Sequence, residues 1–330
     1  MALGAICKVG RLAPFVVLAL SCCIRPALAN VESFDQWLAE VRKEALSEGI
    51  SQATLDMAFD GVEPIARVVE IDRSQVETRI SFDTYKARVL SESRVERGRE
   101  LYRAHKPLLE RIAADYGVPP RFIVALWGIE STYGSHRGDY PVFGALATLA
   151  YDGRRAAFFR RELLNALRIV QQGDAKAEEM LGSWAGAMGQ NQFMPSSYLA
   201  YAVDYDQDGR RDIWSSLPDV LASIANFLAR AGWHAGYTWG REVSLPGSID
   251  GVGRGLETRR TLAEWQALGV RRSNGRDLPE VRLEASLLQM DEGAGPAYLV
   301  YHNFRVLMNW NRSTYFGLAV GELADLLERG

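Results

Sequence analysis

Glu130 lies in the stretch LWGIESTYGS (126–135), directly after a long apolar run. A carboxylate is costly to place among hydrophobes unless a partner or a reaction uses it. With Pro119 and Pro120 at a first turn, GVPPRFIVALWGIE predicts a helix that runs on to a stop at Gly134. Ile123, Trp127 and Glu130 share one face of that helix. Burial beside two large hydrophobes and a position at the negative end of the helix dipole both disfavour the ionised form. A carboxyl group that keeps its proton near neutrality can protonate a leaving oxygen. The plainer alternative is a buried Glu satisfied by backbone or by a cation such as Arg121 or Arg137.

Three further stretches carry chemistry-bearing side chains. In GSWAGAMGQNQFMPSSY (182–198), Gly182, Gly186 and Gly189 permit close backbone approach, Gln190, Asn191 and Gln192 supply amides, and Trp184 and Phe193 supply flat apolar faces. Sugars bind to such mixtures of amides and rings; the alternative is a glycine-rich turn leading to a helix at Pro195. DYDQDGRRDIW sets Asp204, Asp206 and Asp208 at alternate positions, followed by Gly209, the Arg210 carbonyl and Asp212. That order matches the first nine positions of an EF-hand calcium loop. Position twelve is Ser215 instead of a bidentate Glu, and the nearest substitute is Asp219. In NWNRSTYFG (309–317), Trp310, Asn311, Ser313, Tyr315 and Phe316 stand together, and core packing with a helix cap at Ser313 accounts for them without any function.

The elements that must position these residues are mostly helical. From Val31 to about Gly117, FDQWLAEVRKEAL and LYRAHKPLLERIAADYG repeat hydrophobes every three or four residues. Between them, VVEIDRSQVETRISFDTYKARVL is ambiguous and is read as an extended arm. RRAAFFRRELLNALRIVQQG and LPDVLASIANFLARAGW predict further helices. After Gly240, EVSLPGSIDGVGRG, VRLEASLLQMDEG and AYLVYHNFRVLMNWN read as short strands around a helical TLAEWQALGV. The last segment, STYFGLAVGELADLLERG, returns to helix and is expected to pack on the centre.

The first 29 residues place Lys8 and Arg11 before an apolar run and end in Ala27-Leu28-Ala29, the pattern of a cleaved secretory leader. Cys22 in ALSC offers an alternative, an acylated residue anchoring the chain to the outer membrane. All three cysteines lie in this segment, so a processed chain has no internal disulfide and depends on its core. Losing the leader takes the formal charge from −3 to −6, which argues against nucleic acid as the partner.

The four stretches, in this order, resemble the lytic murein transglycosylase B family of peptidoglycan-cleaving envelope enzymes, over a span from roughly Phe34 to the C-terminus. The resemblance implies a mainly α (α+β) protein. Its divisions would be a leader (1–29), an N-terminal helical lobe (30–116), a lysozyme-like catalytic core (117–239), a small mixed section (240–308) and a returning C-terminal segment (309–330). It assigns Glu130 as the sole acid and base and carries glycan contacts to Ser183, Met188, Gln192, Phe193 and Asn311, with Trp310 and Tyr315 beside them. Trp310 and Phe316 stand where some relatives have Tyr. Asp204, Asp206, Asp208, Arg210 and Asp219 would hold a structural Ca2+, although the segment before Asp219 is one residue longer here. No cofactor is implied for the chemistry. The partners implied are peptidoglycan strands and cell-wall synthesis or remodelling proteins, in the periplasm. Asp139 or Asp152 as a second acid would make the chain a hydrolysing muramidase instead, and loss of turnover would leave a glycan-binding protein.

Overall fold

Local signals account for most of the helix boundaries in the computed structural model, which describes residues 33–74, 80–152, 154–247 and 253–329. The leader and Cys22 lie outside the described residues. The N-terminal part folds as α1 (Phe34–Ser47), α2 (Gln52–Ala58), α3 (Ala66–Ser74), α4 (Phe82–Val89), α5 (Glu92–Ala104) and α6 (Lys106–Tyr116). Ser51, Ser81 and Ser91 cap α2, α4 and α5 by accepting backbone N–H groups that have no partner in the first turn. Gly117, in the left-handed region, ends α6. The segment read as an extended arm is helical on both described sides, as α3 and α4. Its apolar residues serve the core rather than a strand, with Val68 and Phe82 fully covered.

The centre is built from α7 (Pro120–Ser131), β1 (Tyr140–Pro141), α8 (Val142–Asp152), α9 (Ala156–Gln172), β2 (Leu181–Gly182), α10 (Pro195–Tyr201) and α11 (Leu217–Arg230). α8 is apolar all round, and every residue from Val142 to Ala150 is buried, as a helix at the middle of a core must be. The antiparallel pairing of β1 with β2, Tyr140 opposite Gly182, fastens the turn after α7 to the glycine-rich stretch. α10 has no cap of its own. Buried Glu162 on α9 supplies one, accepting from Ser196 N at 2.8 Å.

The strand section contains β3 (Gly240–Ser244), β4 (Arg260–Thr261), α12 (Leu262–Ala267), β5 (Arg271–Arg272), β6 (Glu284–Gln289) and β7 (Ala297–Val300). The order is β4-β6-β7-β3-β5, with every pairing antiparallel. AYLVYHNFRVLMNWN is a strand only as far as Val300; it continues as α13 (His302–Trp310), followed by α14 (Thr314–Glu328). Ser313 caps α14, and α14 packs on α7 and α5 at the centre of the molecule.

Residues 34–330 form one contact unit. One hydrophobic core runs from Trp37 to Leu327 through the N-terminal helices, the centre and α14, and a smaller one from Val243 to Tyr301 fills the strand section. The boundaries drawn at 116/117 and 308/309 therefore separate elements that share a core. No helix among the described residues is long and apolar enough to cross a membrane.

Candidate active site

Glu130 sits in the last turn of α7, which stops at Ser131 rather than at Gly134. The chain leaves through three consecutive left-handed residues, Thr132 (φ 50°), Tyr133 (φ 57°) and Gly134 (φ 81°). Two of these are not glycine, and side chains hold them there. Ser131 Oγ donates to Trp127 O and accepts from Gly134 N at 3.0 Å, while Thr132 Oγ1 accepts from Arg94 Nη2 at 3.2 Å. The Tyr133 ring is clamped between α5 and α7. A Cβ on Gly98 would fall 2.3 Å from the Tyr133 hydroxyl, and one on Gly128 2.6 Å from its ring. The ESTYG spelling is thus largely a turn specification that fixes where Glu130 points.

The Glu130 carboxyl keeps some surface but is heavily packed. Burial raises its pKa to about 7, opposed by one hydrogen bond from Trp310, whose Nε1 donates to Oε1 at 2.6 Å. No second carboxylate is among the groups that shift it. Arg121 faces Glu328, and the Arg137 guanidinium donates to Trp214 O, so neither neutralises Glu130. Asp139 lies on the exposed surface and Asp152 accepts from Arg73 at 2.6 Å. Trp127, on the same helix face as the acid, turns its indole N–H to Gln190 Oε1 (2.8 Å) and packs edge-on to Tyr133. The indole that meets the acid is instead Trp310, 180 residues further on, a contact that no local pattern announces. Its ring is held by Phe193 (5.1 Å between centroids) and Phe227 (4.7 Å). Tyr85 on α4 also lies within electrostatic reach of Glu130 and was not legible in the sequence.

The glycine-rich stretch reaches its tight packing as the sequence suggested, since a Cβ on Gly182 would lie 2.3 Å from Ala187 O. Its amides are mostly spent internally. Gln190 bridges Trp127 and Trp214 O, and Asn191 is fully buried, donating to Val220 O. Gln192, with φ 51°, donates to Arg137 O and Gly189 O and keeps partial exposure. Ser183 is part-exposed and accepts from Ala187 N. Met188 and Phe193 are 0% and 3% exposed, so they back the wall instead of offering a surface to a ligand. Asn311 is exposed at the end of α13, its Oδ1 accepting from Ser313 N. The Tyr315 hydroxyl donates to Asp291, and its ring packs on Phe82 and Tyr85.

In the acidic loop, ligand atoms of Asp204, Asp206 and Asp219 lie within 4.8 Å of one another. The extra residue does not displace Asp219. Asp212 Oδ1 accepts from Trp214 N and Ser215 N, and Ser216 then caps α11, which sets Asp219 facing the loop. Asp219 is fully buried, accepts from Tyr205 N (2.7 Å) and Asp212 N (2.8 Å), and its pKa is pushed by burial to about 6. No cation is among the groups that shift it, and three carboxylates so close fit a divalent oxygen-binding ion. Asp208 is turned away from this group, accepting from Arg210 N at 2.9 Å.

The model of the transglycosylase SLT domain matches residues 33–325. The chain belongs to the transglycosylase SLT domain family. Membrane-bound lytic murein transglycosylase B of Escherichia coli K12 is 33% identical over 247 residues, 73% of this chain and 66% of that protein, just under two thirds of the relative's length. Among solved structures, SltB3 of Pseudomonas aeruginosa with NAG-anhNAM-pentapeptide superposes with a TM-score of 0.87 at 47% identity, covering 91% of this chain and 80% of that one. Escherichia coli Slt35 with calcium gives 0.77 at 28% identity, covering 90% and 93%. This SLT-domain chain therefore carries Glu130, with its raised pKa, on a scaffold shared with lytic transglycosylases.

Proposed function

We propose that this chain is a lytic transglycosylase that cleaves the β-1,4 bond between N-acetylmuramic acid and N-acetylglucosamine in peptidoglycan, leaving 1,6-anhydro-muramic ends. The observation that carries the reading is Glu130, protonated up to about pH 7 and with no second carboxylate among its perturbing groups. Protonated Glu130 gives its hydrogen to the leaving glycosidic oxygen as the C1–O bond breaks. The carboxylate then takes the proton of the muramic C6 hydroxyl as that oxygen bonds to C1. The acid is regenerated and no water is consumed. Trp310 stabilises the intervening carboxylate by its N–H, and the tethered hydroxyl replaces a held nucleophilic water. A relative crystallised with NAG-anhNAM-pentapeptide carries the sugar that this internal attack produces.

Ser183, Gln192, Asn311 and Tyr315 are assigned to the glycan cleft, with Trp310 between it and the acid and with Met188 and Phe193 behind the wall. Ca2+ is assigned to Asp204, Asp206 and Asp219, where it would neutralise a buried acidic cluster and brace the loop between α10 and α11; a related enzyme was solved with calcium. Asp208, whose Oδ1 accepts from Arg210 N, and the Arg210 carbonyl are assigned as weaker, outer members of the set. Exported through its leader, the chain acts on the wall in the periplasm, and acylation of Cys22 would tether it to the outer membrane. Mass spectrometry of digested sacculi tests the reading: products one water lighter than reducing-end muropeptides are expected, and reducing ends alone would make the chain a hydrolase.

A further inference from the structure

On the strand section a cavity of about 350 Å³ opens between β6, β7 and the start of α13, and no side chain of the Glu130 site lines it. Its chemistry is that of an anion receptor. Arg259, Arg282 and Arg305 converge on it with His234 and His302, against Glu284 as the one lining acid. This concentration of positive charge stands on a chain whose formal charge is −3. Among the described residues none of the three guanidinium groups has an ion-pair partner within salt-bridge distance. Arg305 is fixed in place by donating to Leu256 O and to Ser286 Oγ at 2.8 Å, and Ser286 is itself buried.

Two like charges here face one another with only partial relief. The Arg305 guanidinium is held below its ordinary pKa by burial and by the charge of Arg259, with Glu257 opposing. Bringing arginines together in this way costs energy that a bound oxyanion would return. Tyr301 and His302, at the N-terminal end of α13, also line the cavity, and Tyr301 supplies no side-chain cap there. Also lining it, and tied to α13 through Asn303, the His234 and Tyr237 rings stack 4.0 Å apart, a flat face for the apolar part of a larger ligand.

We infer that this cavity is an accessory oxyanion-binding site that grips a carboxylate of peptide-bearing glycan outside the cleavage site. The oxyanion chemistry stands on the cavity alone; its source in peptidoglycan rests on the function proposed above. α13 connects the two places, with His302 and Arg305 at the cavity and Trp310 against Glu130. Five residues of helix separate Arg305 from Trp310, on the order of 8 Å along the axis. A strand held by its peptide at the cavity would be presented repeatedly to the same cleft.

The test uses the exported chain carrying Glu130→Gln, so that nothing is cut, and follows the ring protons of its four histidines by NMR. Inorganic phosphate and acetate are titrated separately. Saturable shifts are expected at His234 and His302 and not at His105 or His136, with acetate and phosphate both effective. Adding Arg259→Ala and Arg282→Ala, two exposed positions, should weaken this binding by roughly tenfold or more, as expected for lost charge-assisted contacts. The charge-matched pair Arg103→Ala and Arg111→Ala should leave it unchanged. Linear shifts at all four histidines would overturn the site. Co-sedimentation with sacculi then separates the source: the Arg259/Arg282 pair and carbodiimide amidation of the sacculi should each reduce retention, while cleavage of peptide-free glycan by the wild-type acid stays intact. Retention indifferent to both changes, with phosphate still bound, would remove peptidoglycan as the source. Loss of anhydro products would instead count against the Glu130 reading.

Discussion

Glu130 and Asp219 are both carboxylates whose pKa burial pushes far above the ordinary range, to about 7 and about 6, yet they are built for opposite ends. Glu130 keeps a path to the surface and has one indole donor, so it can hold a proton and release it. Asp219 has no exposed surface, accepts backbone N–H groups from Tyr205 and Asp212, and has two more carboxylates beside it. Burial alone does not say what an acid is for. Access to solvent and the number of acids sharing the site distinguish a proton donor from a cation seat.

Removing the proposed proton donor should have the largest effect. Glu130→Gln is expected to lower release of anhydro products by about 10² to 10⁴, the usual value of a positioned proton transfer, with sacculus binding retained. The same substitution should change stability in a pH-dependent way. In the folded chain Glu130 holds its proton between the ordinary Glu value and about 7, while the unfolded chain has lost it. Its contribution therefore weakens as pH rises through that window. Above it the ionised form costs roughly 3 kcal/mol, so Glu130→Gln should melt higher than wild type at pH 8 and alike at pH 4.

On the cation side, calcium in large excess over its dissociation constant should stabilise the fold by about 3 kcal/mol, several degrees of melting temperature. Asp219→Asn should abolish that rise. Asp208→Ala should reduce it less, because Asp208 faces Arg210 N rather than the cluster. Melting that chelators leave untouched in the wild type would undo the assignment.

A smaller effect is expected at the indole. Trp310→Phe keeps the ring against Phe193 and Phe227 but removes the N–H that favours the carboxylate. The pKa of Glu130 should rise, moving the basic limb of the pH profile upward, with turnover reduced roughly tenfold. A profile that does not move would show that the hydrogen bond has no electrostatic role. Smallest of all, Tyr133→Phe removes the hydroxyl's hydrogen bond to Arg94 O and should cost about 1 kcal/mol in thermal unfolding.

Much of this arrangement was legible from residue order. The Pro119–Pro120 start, the Ser313 cap and the alternate aspartates all act within a few residues of themselves. The failures share a physical cause. VVEI reads as strand by its branched side chains, but the core that claims Val68 decides for helix. AYLVYHNFRVLMNW has no Gly or Pro to mark the change at Tyr301, so strand and helix merge in one apolar run. Gln190 looked free to meet sugar and is consumed by Trp127 and Trp214. The contact between Glu130 and Trp310 is purely tertiary, and the cavity arginines, scattered between Arg259 and Arg305, form no motif at all.

The proposed cleavage requires one buried carboxyl that keeps its proton close to neutrality. Carbon-13 NMR of the labelled Glu130 side chain, followed from pH 4 to pH 9, reads that quantity directly. A midpoint near 7 is the expected result. A carboxyl already fully ionised at pH 5, in a chain that still releases anhydro products, would contradict the account.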